Sequence, residues 1–248
     1  MKEAHTVRIR RLGLLLVIVA LIPVAARGNA SSVLDAQGTG AGSVAVHFYG
    51  SLLTITFEAE LHVVGTLLIE GEPISFEASG TAHGDGEGDS GTLEATIWST
   101  LVAEGAFEDG EPLSVRGGLS VESKDVEITA AAAGEGTGHF YLIVTTPSAE
   151  MHLVGTVSGD ASGGFVPAPP DDPYAMVYAG EYTFHFEEAT VVPAEGNESD
   201  ADPWPHLPWS VEDWPEEMAT ELLLLLEGEA QDGEEPVPEG VDEGFDSL

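Results

Sequence analysis

Leu53-Thr-Ile-Thr-Phe-Glu-Ala-Glu-Leu-His-Val63 alternates without a break. Leu53, Ile55, Phe57, Ala59, Leu61 and Val63 fall on one side of an extended chain, and Thr54, Thr56, Glu58, Glu60 and His62 on the other. Successive side chains of a strand point to opposite faces, so this stretch predicts a strand with one buried and one wet face. That pattern belongs to antiparallel sheets, because parallel ones are covered on both sides. A second stretch repeats it: Met176, Tyr178, Gly180, Tyr182, Phe184 and Phe186 share one side, and Glu181, Thr183, His185 and Glu187 the other.

Working outward, shorter strand patterns cover 44–49, 67–70, 73–82, 92–104, 112–121, 125–133, 138–146 and 150–157. Glycine- and proline-bearing turn signals separate them, at Gly71-Glu-Pro73, Asp85-Gly-Glu-Gly-Asp89, Glu108-Asp-Gly110, Gly134-Glu-Gly136, Pro147-Ser148 and Gly159-Asp160. No segment between them carries a helical stripe, which excludes parallel βαβ units. The expectation is an all-β domain over residues 44–193, an antiparallel β-barrel or two-layer β-sandwich of about 8–10 strands. Residues 31–43, rich in Gly, Ser and Ala, read as a flexible linker before it.

The two ends differ from this middle. Five of the seven basic residues lie in residues 1–30, where Lys2, Arg8, Arg10 and Arg11 precede an apolar run from Leu12 to Ala26. The run is shorter than the roughly 20 residues of a membrane span, and small residues follow it. Residues 1–30 therefore read as a signal peptide, cleaved after Ala26 or Ala30; an uncleaved membrane anchor is the alternative. The protein is expected to be secreted or periplasmic.

Beyond Pro193 the chain has acids and no bases. Residues 194–209 read as a Pro/Trp-rich linker. Residues 210–228 predict a helix with Asp213 as N-cap, Pro215 in the first turn, Glu216 and Glu217 at its positive end and Gly228 as its stop. Met218 and the Leu222–Leu226 run give it more apolar surface than an isolated short helix tolerates, so it should dock. Residues 229–248 read as a disordered acidic tail.

The formal charge of −37 excludes a nucleic-acid phosphate backbone and opposes an anionic membrane surface; basic proteins or cations are the complementary partners. Absence of Cys removes disulfides, thiolate metal sites and thiol catalysis. There is no nucleophile elbow, P-loop or dinucleotide fingerprint. Lys124, beside Asp125, reads as a turn residue and not a Schiff-base lysine.

Three further groups have the composition of a site. His62, His152 and His185 sit on polar strand phases and would bind zinc only if their strands were neighbours. Asp85, Glu87 and Asp89, flanked by His83 and Ser90, resemble a Ca²⁺ loop but fail the EF-hand template at Ser90 and Thr96. Asn197-Glu-Ser199 fits a glycosylation acceptor. No residue is singled out as catalytic or cofactor-binding, and no metal or cofactor is expected. The leading expectation is an exported acidic β domain with a non-enzymatic binding or envelope structural role. The alternatives are a β-barrel carrier of a small apolar ligand and a carboxylate-based hydrolase, which a cavity of several hundred Å³ or a cleft with facing carboxylates would separate.

Overall fold

The computed structural model describes residues 32–128, 131–170, 172–193 and 207–227. The expected signal peptide of residues 1–30, the 194–206 part of the Pro/Trp segment, the candidate acceptor at Asn197, the expected helix stop at Gly228 and the acidic residues 229–248 lie outside the described residues. Eight antiparallel strands follow one another: β1 (Leu34–Tyr49), β2 (Leu52–Ile69), β3 (Glu72–Asp89), β4 (Ala95–Phe107), β5 (Pro112–Ile128), β6 (Ala131–Thr145), β7 (Glu150–Val166) and β8 (Met176–Val192). Each pairs with the next in sequence, and β1 pairs with β8, so the sheet closes into an up-and-down barrel. Closure leaves no unpaired sheet edge.

Of the two architectures expected, the barrel is the one formed, and the shorter candidates merge. Patterns 53–63 and 67–70 are one strand, β2. The supposed linker 31–43 is corrected: from Leu34 onward it is the first half of β1, paired to β2 and β8. Three supposed turns are corrected as well. Asp85–Asp89 is the end of β3, Gly134–Gly136 lies within β6, and Gly159-Asp160 lies within β7. One physical cause links these cases. The glycines occupy every second, inward-facing position, where neighbouring groups crowd in: a Cβ on Gly84 would lie 2.1 Å from the Trp98 carbonyl oxygen.

Two bulges adjust the inward phase. β5 carries an irregularity between Lys124 and Glu127 against β6, and Val126 within it lines the interior. In the β7–β8 pair the register shifts opposite Glu187 to Thr190. Glu188 there takes the left-handed conformation, φ 55°, and Ala189 turns into the core, buried. An extra residue in one strand has this effect, because it changes which side the following residues face.

The predicted C-terminal helix forms on the outside of the barrel. A single 3₁₀ turn (Val211–Asp213) precedes helix α1 (Glu216–Glu227). Its start differs from expectation. Ser210 accepts from the Glu212 N–H and caps the 3₁₀ turn, Asp213 lies inside that turn, and the Pro215 carbonyl takes the Ala219 N–H. Met218, Leu222 and Leu226 bury against Tyr141 and Ile143 of β6, and Trp214 with them. Gly118 on β5 makes room: a Cβ there would meet Leu222 Cδ1 at 2.8 Å and the Trp214 ring at 2.9 Å. The polar edge is tied down too, since Glu221 accepts from Thr100 Oγ1 at 3.0 Å and lies 2.7 Å from His83 Nε2. Among the described residues no helix is long and apolar enough to cross a membrane.

Candidate functional site

Inward side chains differ in size from one end of the barrel to the other. At the end where β1 begins, Leu34, Leu67, Phe76, Phe107, Leu113, Phe140, Leu142, Leu153 and Phe186 fill the bore in one cluster. Only a void of about 30 Å³ remains among them. Toward the other end the inward positions of four adjacent strands are small: Gly42 on β1, Gly134 and Gly136 on β6, Gly159, Ala161 and Gly163 on β7, and Gly180 on β8. An eight-stranded barrel is just wide enough to be filled by its own side chains or to hold one small ligand. Here the missing side-chain volume leaves a cavity of about 330 Å³.

Aliphatic and aromatic groups form the rest of the wall: Val44, Ile55, Phe57, Ile97, Leu119, Val121, Val157 and Phe184. Leu93, in the turn between β3 and β4, also reaches it. Its backbone is left-handed at φ 62°, a conformation that costs energy for a residue with a Cβ. Glu135, Asp160 and Glu181 border the cavity from the outward strand phase and are exposed.

Four inward polar side chains line it: Ser99, Ser123, Tyr178 and Tyr182. Ser99 Oγ donates to the His83 carbonyl at 3.0 Å, and Ser123 Oγ donates to the Ala95 carbonyl at 3.1 Å, so the backbone takes both. The hydroxyls of Tyr178 and Tyr182 are buried and have no hydrogen-bond partner among the described residues. Burial, reinforced by the nearby Glu60 charge, pushes the Tyr182 phenol up to about 12. It stays protonated and able to donate at any ordinary pH.

The candidate groups read from the sequence lie elsewhere. His62, His152 and His185 are on β2, β7 and β8, with β1 between the first and last. His62 neighbours Ser79 and Glu77, and His152 is buried between Tyr141 Oη at 2.6 Å and Glu150 Oε1 at 3.1 Å. They do not converge, and among the described residues no group of three His, Asp or Glu is placed to hold a metal ion. Asp85, Glu87 and Asp89 alternate along β3, and Asp89 Oδ1 accepts the Gly91 and Thr92 N–H groups as a turn cap. Lys124 is corrected from turn to strand: it lies in β5, exposed, 3.8 Å from Glu122.

On the outer wall a polar chain runs from Tyr141 through His152 and Glu150 to Arg116 Nη2, 3.4 Å from the Glu150 carboxylate. The hydrogen bond from His152 is the main influence holding Glu150 below the usual carboxylate range, with Arg116 adding to it. Burial pushes the Tyr141 phenol up to about 12.

The fold and interior thus define a closed up-and-down β-barrel with an apolar cavity and a helix docked on its outer wall. No protein-family model matches the chain, nor does any curated protein or solved structure.

Proposed function

We propose that the protein is a non-enzymatic binding protein that carries a small, largely apolar molecule inside its barrel. The observation that carries this reading is the 330 Å³ cavity, walled by Val, Ile, Leu and Phe where glycines take the inward positions of four neighbouring strands. Its volume falls in the range of small-molecule sites, roughly 300–1,000 Å³. The orientation of the polar residues supports it. Glu58, Glu60 and His62 face outward, the reverse of a barrel whose outer wall meets lipid.

A hydrolase needs two carboxylates facing a cleft, and the inward residues of this cavity include none. A purely structural envelope role has no observation in its favour beyond the acidic surface. The carrier reading includes export, supported by the basic-then-apolar order of residues 2–26. The acidic surface would keep the carrier off anionic membranes and favour basic partners. Titration with the neutral fluorophore N-phenyl-1-naphthylamine tests the reading. Saturable binding of one probe per chain is expected, and no saturable binding would reject it.

A further inference from the structure

We infer that the part of the ligand held in the bore is hydrocarbon throughout, rings or an alkyl chain, and that the cavity selects it by rejecting oxygen, nitrogen and charge. This rests on the carrier reading and narrows it to a chemical class.

Each of the four inward polar side chains is engaged or sealed. Ser99 is only 4% exposed, and its Oγ donates to the His83 carbonyl. Ser123 Oγ donates to the Ala95 carbonyl at 3.1 Å and accepts the Ala95 N–H at 3.0 Å, so it serves the backbone in both roles. The Tyr178 and Tyr182 hydroxyl oxygens have essentially no accessible surface, toward the cavity or toward solvent. What these two residues present to the bore is ring carbon. Gly159, Ala161, Gly163, Gly180 and Gly42 lie in strands paired on both sides. Ladder hydrogen bonds run within the sheet, not into the bore.

Among the described residues no Lys, Arg or His lines the cavity. Arg116 is engaged by Glu150, and Lys124 is exposed beside Glu122. A carbonyl, amine or hydroxyl entering the bore would give up its hydrogen bonds to water with nothing inside to replace them. A carboxylate would lose still more, with no cation to pair it and the negative field of the chain against it. A hydrocarbon carries none of these penalties, and each ring or methylene it removes from water stabilises the complex. Selection is by exclusion: molecules of equal shape are told apart by the polar groups they would leave unpaired.

The test displaces N-phenyl-1-naphthylamine from the full chain with competitors that differ from it only at the bridge between the rings. A methylene in place of its N–H gives 1-benzylnaphthalene, a carbonyl gives 1-benzoylnaphthalene, and a carbon bearing a carboxylate gives phenyl(1-naphthyl)acetate. The bridge is central, so its polar group cannot stay outside the mouth while both ring systems enter. 1-Benzylnaphthalene should compete on the order of 10-fold more tightly than 1-benzoylnaphthalene, the scale of one buried carbonyl left unpaired. The acetate should not compete, and Ser99→Ala should leave this order unchanged. Equal or tighter competition by the ketone, displacement by the acetate, or no displacement by 1-benzylnaphthalene would overturn the inference while the carrier reading stood. So would a Ser99→Ala variant that loses affinity for the ketone alone. Failure of the fluorophore itself to bind wild type would remove the carrier reading and this inference together.

Discussion

The ring of Phe184 covers Gly38, its partner across the β1–β8 seam, so closely that a Cβ on residue 38 would lie 2.1 Å from Cζ of the ring. The same relation recurs between Tyr182 and Gly40, and between Phe140 and Gly155. An aromatic ring folded over the glycine opposite it shields the bare backbone and supplies apolar surface for both strands. At the seam, this lets β1 carry glycine at inward positions 38 and 40 and still pair along its length.

Gly38→Ala should therefore destabilise the barrel by about 1–3 kcal/mol, as overpacking does. In a double-mutant cycle, Phe184→Leu should cost less in the Gly38→Ala background than in wild type, because the two residues share one space. Chemical denaturation measures both. Additive losses would mean that the ring and the glycine do not interact.

Leu222→Ala should cost about 2–5 kcal/mol, since Leu222 is fully buried where α1 meets the barrel. Gly118→Val should undock the same helix, because it puts bulk where Leu222 and Trp214 sit. Trp fluorescence should report the release of Trp214, with the β-sheet signal in far-UV circular dichroism retained. If the sheet signal is lost as well, docking and barrel formation are one cooperative event.

Leu93→Gly should separate stability from binding. It relieves the left-handed backbone at φ 62° and removes an apolar group from the cavity wall. Stability should hold or rise while N-phenyl-1-naphthylamine affinity falls several-fold, by the scale of a lost apolar contact. Unchanged affinity would show that this turn does not touch the ligand.

The helix edge carries a pH signature. The Asp85 carboxyl is held above its ordinary value, first by burial and then by Glu217 of α1, with Glu221 adding to it and His83 opposing. A carboxyl raised in the folded state contributes stability that is complete below its unfolded pKa, about 3.9, and is lost as pH rises through the folded value. Ionised Asp85 thus opposes docking at neutral pH. Asp85→Asn should raise the melting temperature at pH 7, and the advantage should vanish below about pH 4 and shrink in salt. Glu150 runs the other way: its lowered carboxyl contributes stability above about pH 4.3 that is lost as pH falls through the folded value.

Much of this architecture is legible in the sequence where inward positions are filled. From Leu53 to Val63 every second residue is apolar, and the strand reads directly. It is illegible where the inward residue is glycine. Gly38, Gly40 and Gly42, or Gly84, Gly86 and Gly88, keep the same two-residue period, yet glycine is also the turn residue. Real turns here, such as the one at Gly71 with φ 88°, use the left-handed freedom of glycine; the strand glycines use its lack of a side chain. The alternating spacing, Gly-x-Gly-x-Gly with mostly polar or small residues between, is the signal that separates the two uses. The cavity shares this origin, so a reading that takes glycine as a turn misses strand and cavity together. The alternation from Met176 to Phe186 puts Tyr178 and Tyr182 on the inward face, but no sequence pattern reveals that their hydroxyls lack partners among the described residues.

Methyl NMR during titration with N-phenyl-1-naphthylamine locates the ligand and so tests the central claim most directly. Ile55, Ile97, Val121 and Val157 line the cavity, while Ile143, Leu222 and Leu226 lie in the contact between the outer helix and the barrel wall. Saturable shifts in the first set, with the second set unmoved, are the predicted result. Shifts confined to the helix cluster, or none at all, would contradict a ligand site inside the barrel.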